Sequence, residues 1–211
     1  MKITLFGATG KTGRYLIDEG LKRGFELTIF TRSNTVFDHP NIRIVRGDLD
    51  DSVALAEAIR DADVVLSALG PTTLKHPNNK PITVAMKSII SVMKQESVAR
   101  LIAISTGTAI DPEDGFDAKI WFPAKLIQFV MPNSYQDIIE LAKVIRSSDL
   151  MWTMVRVAFL KNVPASKKLN IGLYGHLTHS MTIPREDVAI FMYDQILDEK
   201  YVKQAPGISS K

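Results

Sequence analysis

The sequence predicts a single α/β domain built on a doubly wound parallel sheet. Three observations lead to this fold class. The β-type runs, such as Val64-Val65-Leu66 and Leu101-Ile102-Ala103-Ile104, are nearly continuous in apolar residues, the mark of strands buried on both faces. They alternate with helical patterns at the spacing of strand–helix–strand units. The chain of 211 residues has the length of one large domain and contains no repeat, linker or low-complexity stretch.

Residues 3–6 form the first predicted strand, ending at Gly7. Residues 12–23 follow as a helix with Tyr15, Leu16 and Leu21 on its apolar face, and Gly24 closes it. Residues 26–30 and 42–45 read as the second and third strands. Residues 52–60 read as a helix with Ser52 as N-cap and Val53, Leu55, Ala56 and Ile59 turned inward. The fourth strand, 64–66, is closed by Gly70-Pro71, and a strongly helical pattern covers 82–94. The fifth strand is 101–104. A helix over 135–147 presents Ile138, Ile139, Leu141, Val144 and Ile145, and the sixth strand is 152–159. Pro184 opens the last helix, with Glu186 and Asp187 at its positive end and Val188, Phe191, Met192 and Ile196 as the buried stripe. One region, about 107–134, breaks the rhythm with Pro112, Gly115, Pro123 and the apolar run Ile120-Trp121-Phe122. It reads as an insertion on the substrate side.

Composition removes several function classes. With no cysteine there is no disulfide framework, thiol nucleophile or Cys-ligated metal. The net charge of +3 is spread among acids, which suits an anionic small ligand but is no nucleic-acid footprint. The leading apolar stretch breaks at Gly7, too early for a secretory core, and no run approaches the ~20 apolar residues of a membrane span. The expectation is a cytoplasmic monomer or homodimer that acts on a small molecule, with neither membrane nor nucleic acid as partner.

The sharpest motif is Gly7-Ala8-Thr9-Gly10-Lys11-Thr12-Gly13, which leaves a strand and opens a helix. In that context Gly7 allows the sharp turn, Gly10 admits a pyrophosphate against the backbone, and Gly13 lets helix and sheet approach. The helix N-terminus, with Thr9, Lys11 and Thr12 around it, then binds phosphate. Gly10-Lys11-Thr12 also looks like the end of a triphosphate loop, but the position that would hold its first glycine is Leu5, inside the strand.

The spacing is GxxGxxG. Together with ITLFGATGKTG, LTIFTRS, VRGDLDD, VVLSALG, RLIAIST and PREDVA, it resembles the atypical short-chain dehydrogenase/reductases. The resemblance is to their NmrA-like, flavin reductase/biliverdin-IXβ reductase-like branch, and it implies a Rossmann-type nucleotide-binding fold. The second strand ends without the acid that would hold the ribose hydroxyls of NAD about 20 residues beyond the glycine loop. It ends in Arg32 and Ser33, which can pair with a 2′-phosphate, so NADP(H) is the expected cofactor. The resemblance places Asp48, with Leu49, at the adenine, while a turn or capping role for Asp48 stays open. It places Ala68, Leu69 and Gly70 along the ribose and pyrophosphate.

The chemistry is less explicit. The usual Tyr general acid with Lys four residues later is missing: Tyr15, Tyr135, Tyr174, Tyr193 and Tyr201 are followed at that spacing by Glu19, Ile139, Thr178, Leu197 and Ala205. The resemblance brings Ser105 and Thr106, at the end of the fifth strand, to the nicotinamide as catalytic candidates, with a turn-stabilising pair as the alternative. Phe159 stands where the tetrapyrrole reductases have a histidine. His176 and His179 fall in a loop, expected to be solvated, and no metal site is expected. Trp121, Phe122 and Phe129 are candidates for a flat apolar substrate wall, or for a satellite core or dimer contact. These features point to an NADP(H)-dependent oxidoreductase passing hydride to a small planar acceptor, flavin or quinone-like. The alternative is an NADP(H)-binding redox sensor without turnover.

Overall fold

The computed structural model describes every residue except Leu74 and Lys167. The strands are β1 (Lys2–Phe6), β2 (Glu26–Thr31), β3 (Ile42–Arg46), β4 (Val64–Ser67), β5 (Arg100–Thr106), β6 (Met151–Val157), β7 (Phe159–Lys161), β8 (Leu169–Gly172), β9 (Thr182–Pro184) and β10 (Gly207–Ser210). Eight of them form one sheet in the order β3-β2-β1-β4-β5-β6-β10-β8. Neighbours in that sheet run parallel except β8 against β10. The chain fills one side of β1 with β2 and β3, then returns to the other side with β4. That reversal leaves a crevice at the carboxyl ends of β1 and β4, where such sheets bind ligands.

The helices are α1 (Gly13–Lys22), α2 (Ser52–Ile59), α3 (Pro81–Gln95), α4 (Ala118–Val130), α5 (Pro132–Arg146) and α6 (Arg185–Asp194). Ile3, Leu5, Leu27 and Ile29 meet buried residues of α1 and α6 on one face of the sheet. Phe6, Phe30, Val65 and Leu101 meet those of α2, α3 and α5 on the other. Because both faces are covered, successive residues of the central strands are mostly apolar, which explains the continuous runs in the sequence.

Some local expectations shift. The N-cap of α2 is Asp51 rather than Ser52: its Oδ1 accepts from the backbone N–H of Val53 at 3.0 Å and Ala54 at 3.1 Å. The buried stripe is Ala54, Leu55, Ala58 and Ile59, and Val53 is left 77% exposed. In α1, Leu16 and Ile17 are buried while Tyr15 and Leu21 flank them half-buried. Gly24, at φ +73°, closes α1 as expected: its N–H donates to Leu21 O and that of Phe25 to Gly20 O.

The predicted sixth strand is two strands. β5 ends at Thr106, opposite Val157, so the ladder runs out there. Phe159 belongs to β7, which pairs with β9 in a separate two-stranded sheet. α5 begins at Pro132, earlier than its apolar pattern suggests, and Pro184 is the N-cap of α6 and the end of β9. Ile196 is buried but lies beyond the end of α6. The insertion contains a helix of its own, α4, with Pro123 inside it.

Candidate active site

The three glycines of the loop differ in what surrounds them. Gly7 has φ +80°, and a Cβ there would lie 2.7 Å from the carbonyl carbon of Ala68, so β1 and β4 touch at their ends only through glycine. At Gly13 a Cβ would lie 2.1 Å from the carbonyl oxygen of Ala8, which fixes how closely α1 sits on the loop. A Cβ on Gly10 would meet only Gly7 O, at 3.2 Å, and Gly10 lines an open cleft. Two turn bonds hold the loop: Gly10 N–H to Gly7 O and Gly13 N–H to Gly10 O, both 3.1 Å. The N-cap of α1, Thr12, makes no side-chain cap bond, and the first turn contains no acid. The positive end of this helix is thus left for an external anion, and the exposed Lys11 stands beside it.

The cleft holds about 380 Å³ and takes its walls from Gly10, Lys11 and Thr12, from Ala68, Leu69 and Gly70, and from Ser105 and Thr106. Sequence-distant parts thus meet at the switch point because β1, β4 and β5 are adjacent in the sheet. Gly7, Thr9 and Gly13 are not in the cleft wall: Gly7 and Gly13 pack against the backbone of Ala68 and Ala8, and Thr9 is exposed. Arg32 and Ser33 follow β2, and Asp48 follows β3; all three are exposed, Leu49 half-buried, at the same carboxyl edge but outside the cleft wall. The fit of a dinucleotide therefore rests on an uncapped helix end, a glycine whose missing Cβ opens the cleft, and cations on the β2 side.

A second cavity of about 210 Å³ adjoins the cleft and shares Pro71, Thr106, Ile138, Val157 and Ala158 with it. Its far wall is apolar, with Ile120, Pro123, Ala124 and Ile127 from α4. Thr106 stands at the junction, its Oγ1 2.5 Å from Oγ1 of Thr108. Ser105 is in the cleft wall, with its Oγ buried and unpartnered. The expected aromatic wall is not where the cavity is. Trp121, Phe122 and Phe129 line neither space: Phe122 and Phe129 project from the exposed side of α4, and Trp121 sits at its edge, against Phe116 and Phe122. His179 is buried rather than solvated, its Nδ1 3.2 Å from Ser209 Oγ, and burial pushes its imidazole pKa down. His176 is exposed beside Glu113 O, and neither histidine lines the cleft.

The insertion is fastened from beneath. Arg156, on β6, is fully buried and forms a two-pronged ion pair with Asp114, whose Oδ1 lies 2.7 Å from one guanidinium nitrogen. Its Nε donates to Ala205 O at 2.6 Å, and its guanidinium lies 4.7 Å over the ring of Tyr174. The backbone N–H of Tyr174 donates to Asp114 at 3.0 Å, and its hydroxyl to Arg156 O at 3.2 Å. Burial pushes the Tyr174 phenol well above its ordinary range, so the ring is a neutral wedge here.

A sequence profile described as NAD(P)H-binding matches residues 7–199. The chain belongs to this NAD(P)H-binding family. Among curated relatives it is 24% identical over 169 residues to the uncharacterized protein YwnB of Bacillus subtilis (strain 168), covering 80% of this chain and 76% of that one. It is 28% identical over 122 residues to phenylcoumaran benzylic ether reductase 1 of Arabidopsis thaliana, covering 52% of this chain and 37% of that protein, so it spans well under half of this plant enzyme. Among solved structures, a short-chain dehydrogenase/reductase from Veillonella parvula in complex with NADP has a TM-score of 0.78 at 20% identity, covering 99% of this chain and 94% of that one. ChuY, described as an anaerobillin reductase from Escherichia coli O157:H7, has a TM-score of 0.77 at 16% identity, covering 100% and 97%. At these identities the structural likenesses establish the Rossmann-type fold.

An NAD(P)H-binding domain must hold the loop after β4 in place, and the residue that does so was not evident from sequence. Asp137 on α5 is fully buried and caps α3 from outside: its carboxylate accepts from the backbone N–H of Ile82 at 3.0 Å and Thr83 at 2.8 Å and from Thr83 Oγ1 at 2.6 Å. It also lies 2.7 Å from His76 Nε2. Burial alone would raise this carboxyl; the hydrogen bonds from Thr83, His76 and the backbone outweigh it and hold the pKa below the ordinary value. A depressed folded pKa stabilises above the unfolded value of about 3.9 and is lost as pH falls through the folded one. Asp137→Asn is therefore expected to cost about 1–3 kcal/mol at neutral pH, by chemical denaturation, with the gap to the parent closing in acid. A gap independent of pH would count against the charged role. Arg185, at the start of α6, also went unassigned in sequence; it lines the cleft and donates to Leu160 O at 3.1 Å.

Proposed function

We propose that this chain is an NADP(H)-dependent reductase of a small planar acceptor, flavin or quinone-like. The observation that most supports it is the continuity of the two cavities through Thr106: a cleft built for a dinucleotide opens into an apolar chamber of ring size. The cofactor, when bound, supplies a hydride. The residues of the chain bind, orient and exclude water. The uncapped start of α1 and Gly10 take the pyrophosphate, with Lys11 adding charge. Arg32 and Ser33 take the 2′-phosphate, and Asp48 and Leu49 border the adenine. Thr106 orients the ring at the junction, with Ser105 behind it. Without a Tyr–Lys donor pair, the reaction suits acceptors that need little protonation from the protein.

Arg32→Ala is expected to weaken NADPH by ~1–3 kcal/mol, the scale of a charge-assisted hydrogen bond, and to leave NADH nearly unchanged. Calorimetry giving equal affinities for the two nucleotides in the parent protein would overturn the NADP assignment. Thr106→Val is expected to lower turnover about tenfold or more while NADPH affinity stays within a few-fold. The deciding experiment follows loss of reduced nicotinamide against FMN, quinones and small carbonyls. Oxidation by flavin or quinone ahead of ketones supports the reductase. Tight binding of both cofactor forms with no oxidation by any acceptor would support the sensor, the reading to which the missing Tyr–Lys pair also lends itself.

A further inference from the structure

α4 is apolar on both sides, although only one side is covered. Ile120 and Ala124 are buried, and with Pro123 and Ile127 they face the apolar cavity. On the opposite side Phe122 is 64% exposed, Leu126 62%, Phe129 87% and Val130 61%. Phe122, Leu126 and Phe129, spaced four and three residues apart, make one stripe along the helix, widened by Val130. Trp121, at the edge of the stripe, is 40% exposed and packs edge-on against Phe122 with ring centroids 5.0 Å apart. A contiguous apolar face of this kind marks a contact surface.

The charges beside the stripe select what the face meets. Lys119 stands at the N-terminal end of the stripe, where it also reaches the rim of the apolar cavity, Lys125 lies on the flank, and α4 contains no acid. Lys125 Nζ lies 5.9 Å from the Trp121 ring centroid and 3.3 Å from Gln128 Oε1, so its stem runs along the apolar face and no carboxylate neutralises it. The carboxylate just before the helix, Asp117, is engaged as N-cap, accepting from Lys119 N–H at 2.9 Å. Aromatic residues on one face with lysines on its borders form the pattern of a helix lying in a lipid headgroup layer.

We propose that the outer face of α4 docks this domain on the surface of an anionic lipid bilayer. The proposal is independent of the reductase reading. It departs from the expectation of no membrane partner, which rested on the absence of a spanning segment. Among the described residues no helix is long and apolar enough to cross a membrane, and a helix lying in the interface needs no such length.

The test is co-sedimentation of the full chain with vesicles, either of phosphatidylcholine alone or of equimolar phosphatidylcholine and phosphatidylglycerol. Binding should appear with the anionic vesicles and fall as salt is raised. It should be accompanied by a blue shift in tryptophan emission, because Trp152 is already buried and Trp121 is the tryptophan left to change environment. The double variant Phe122→Glu, Phe129→Glu should lose binding about tenfold or more, and Lys125→Gln a few-fold. Thermal unfolding of the variants checks that the fold survives, since neither phenylalanine is buried. No binding to either vesicle, or unchanged binding by a folded double variant, would overturn the proposal. So would self-association of the parent chain that the same double variant abolishes, which would assign the face to a second copy.

Discussion

Replacing Gly10 with valine is expected to lower nucleotide affinity at least about 100-fold, or ~2.7 kcal/mol, while the domain stays folded. The Cβ itself meets only Gly7 O, at 3.2 Å, which a small local adjustment relieves. The rest of the side chain projects into the cleft where the pyrophosphate must approach the backbone. The neighbouring glycine gives the contrasting result. A Cβ at Gly13 would sit 2.1 Å from Ala8 O, backbone against backbone, so Gly13→Ala is expected to damage the fold itself. Calorimetric titration with NADPH, paired with thermal unfolding, separates the two variants. A folded Gly10→Val protein that binds NADPH normally would move the cofactor out of this cleft.

The second large effect is expected at Asp114. Its removal leaves the Arg156 guanidinium fully buried without its paired carboxylate and loosens the insertion at its main attachment to β6. Breaking a buried pair from one side costs about 3–5 kcal/mol, so Asp114→Ala should shift the denaturation midpoint strongly. Removing both partners, as in Asp114→Ala with Arg156→Leu, should recover much of that loss, because no charge is then stranded. The two chambers also predict how activity divides. If the insertion shapes only the acceptor side, Asp114→Ala under conditions where it remains folded should raise the KM for the acceptor and leave NADPH affinity nearly unchanged. A double variant as unstable as the single one would show that the network matters for packing rather than for charge.

What could be read from sequence was local and strongly patterned. The runs of β1, β4 and β5 name their own burial, and the glycine loop names its geometry, because strand, turn and helix lie within about one βαβ unit. The four strands β7 to β10 are three or four residues long and owe their pairing to partners far along the chain, so periodicity has little to register. The α2 stripe shows how a one-residue change of cap goes with a different inward face: with Asp51 rather than Ser52 as the cap, Val53 stands outside. α4 failed for another reason. When both sides of a helix are apolar, spacing alone cannot say which side is inside, so its aromatics could be a substrate wall, a satellite core or a dimer contact, and the α4 side chains at the cavity are Ile120, Pro123, Ala124 and Ile127, with Lys119 at its rim. Asp114 and Arg156 are 42 residues apart, and a pair at that separation leaves no mark in a single sequence. Asp137 was visible only as one letter in the helix that lacks the Tyr–Lys pair.

The division of the cavity between two chain regions bears on how the protein can change over evolutionary time. The larger cleft is assembled at the ends of β1, β4 and β5, while the adjoining apolar cavity owes its far wall to one helix inserted after β5. Just before that helix, Asp114 anchors the insertion to the buried Arg156 of β6. Replacing α4 with a segment of different shape, with an acid kept at position 114, would reshape the apolar cavity and leave in place the cleft walls that come from β1, β4 and β5. The scaffold is thus a socket with an exchangeable cover.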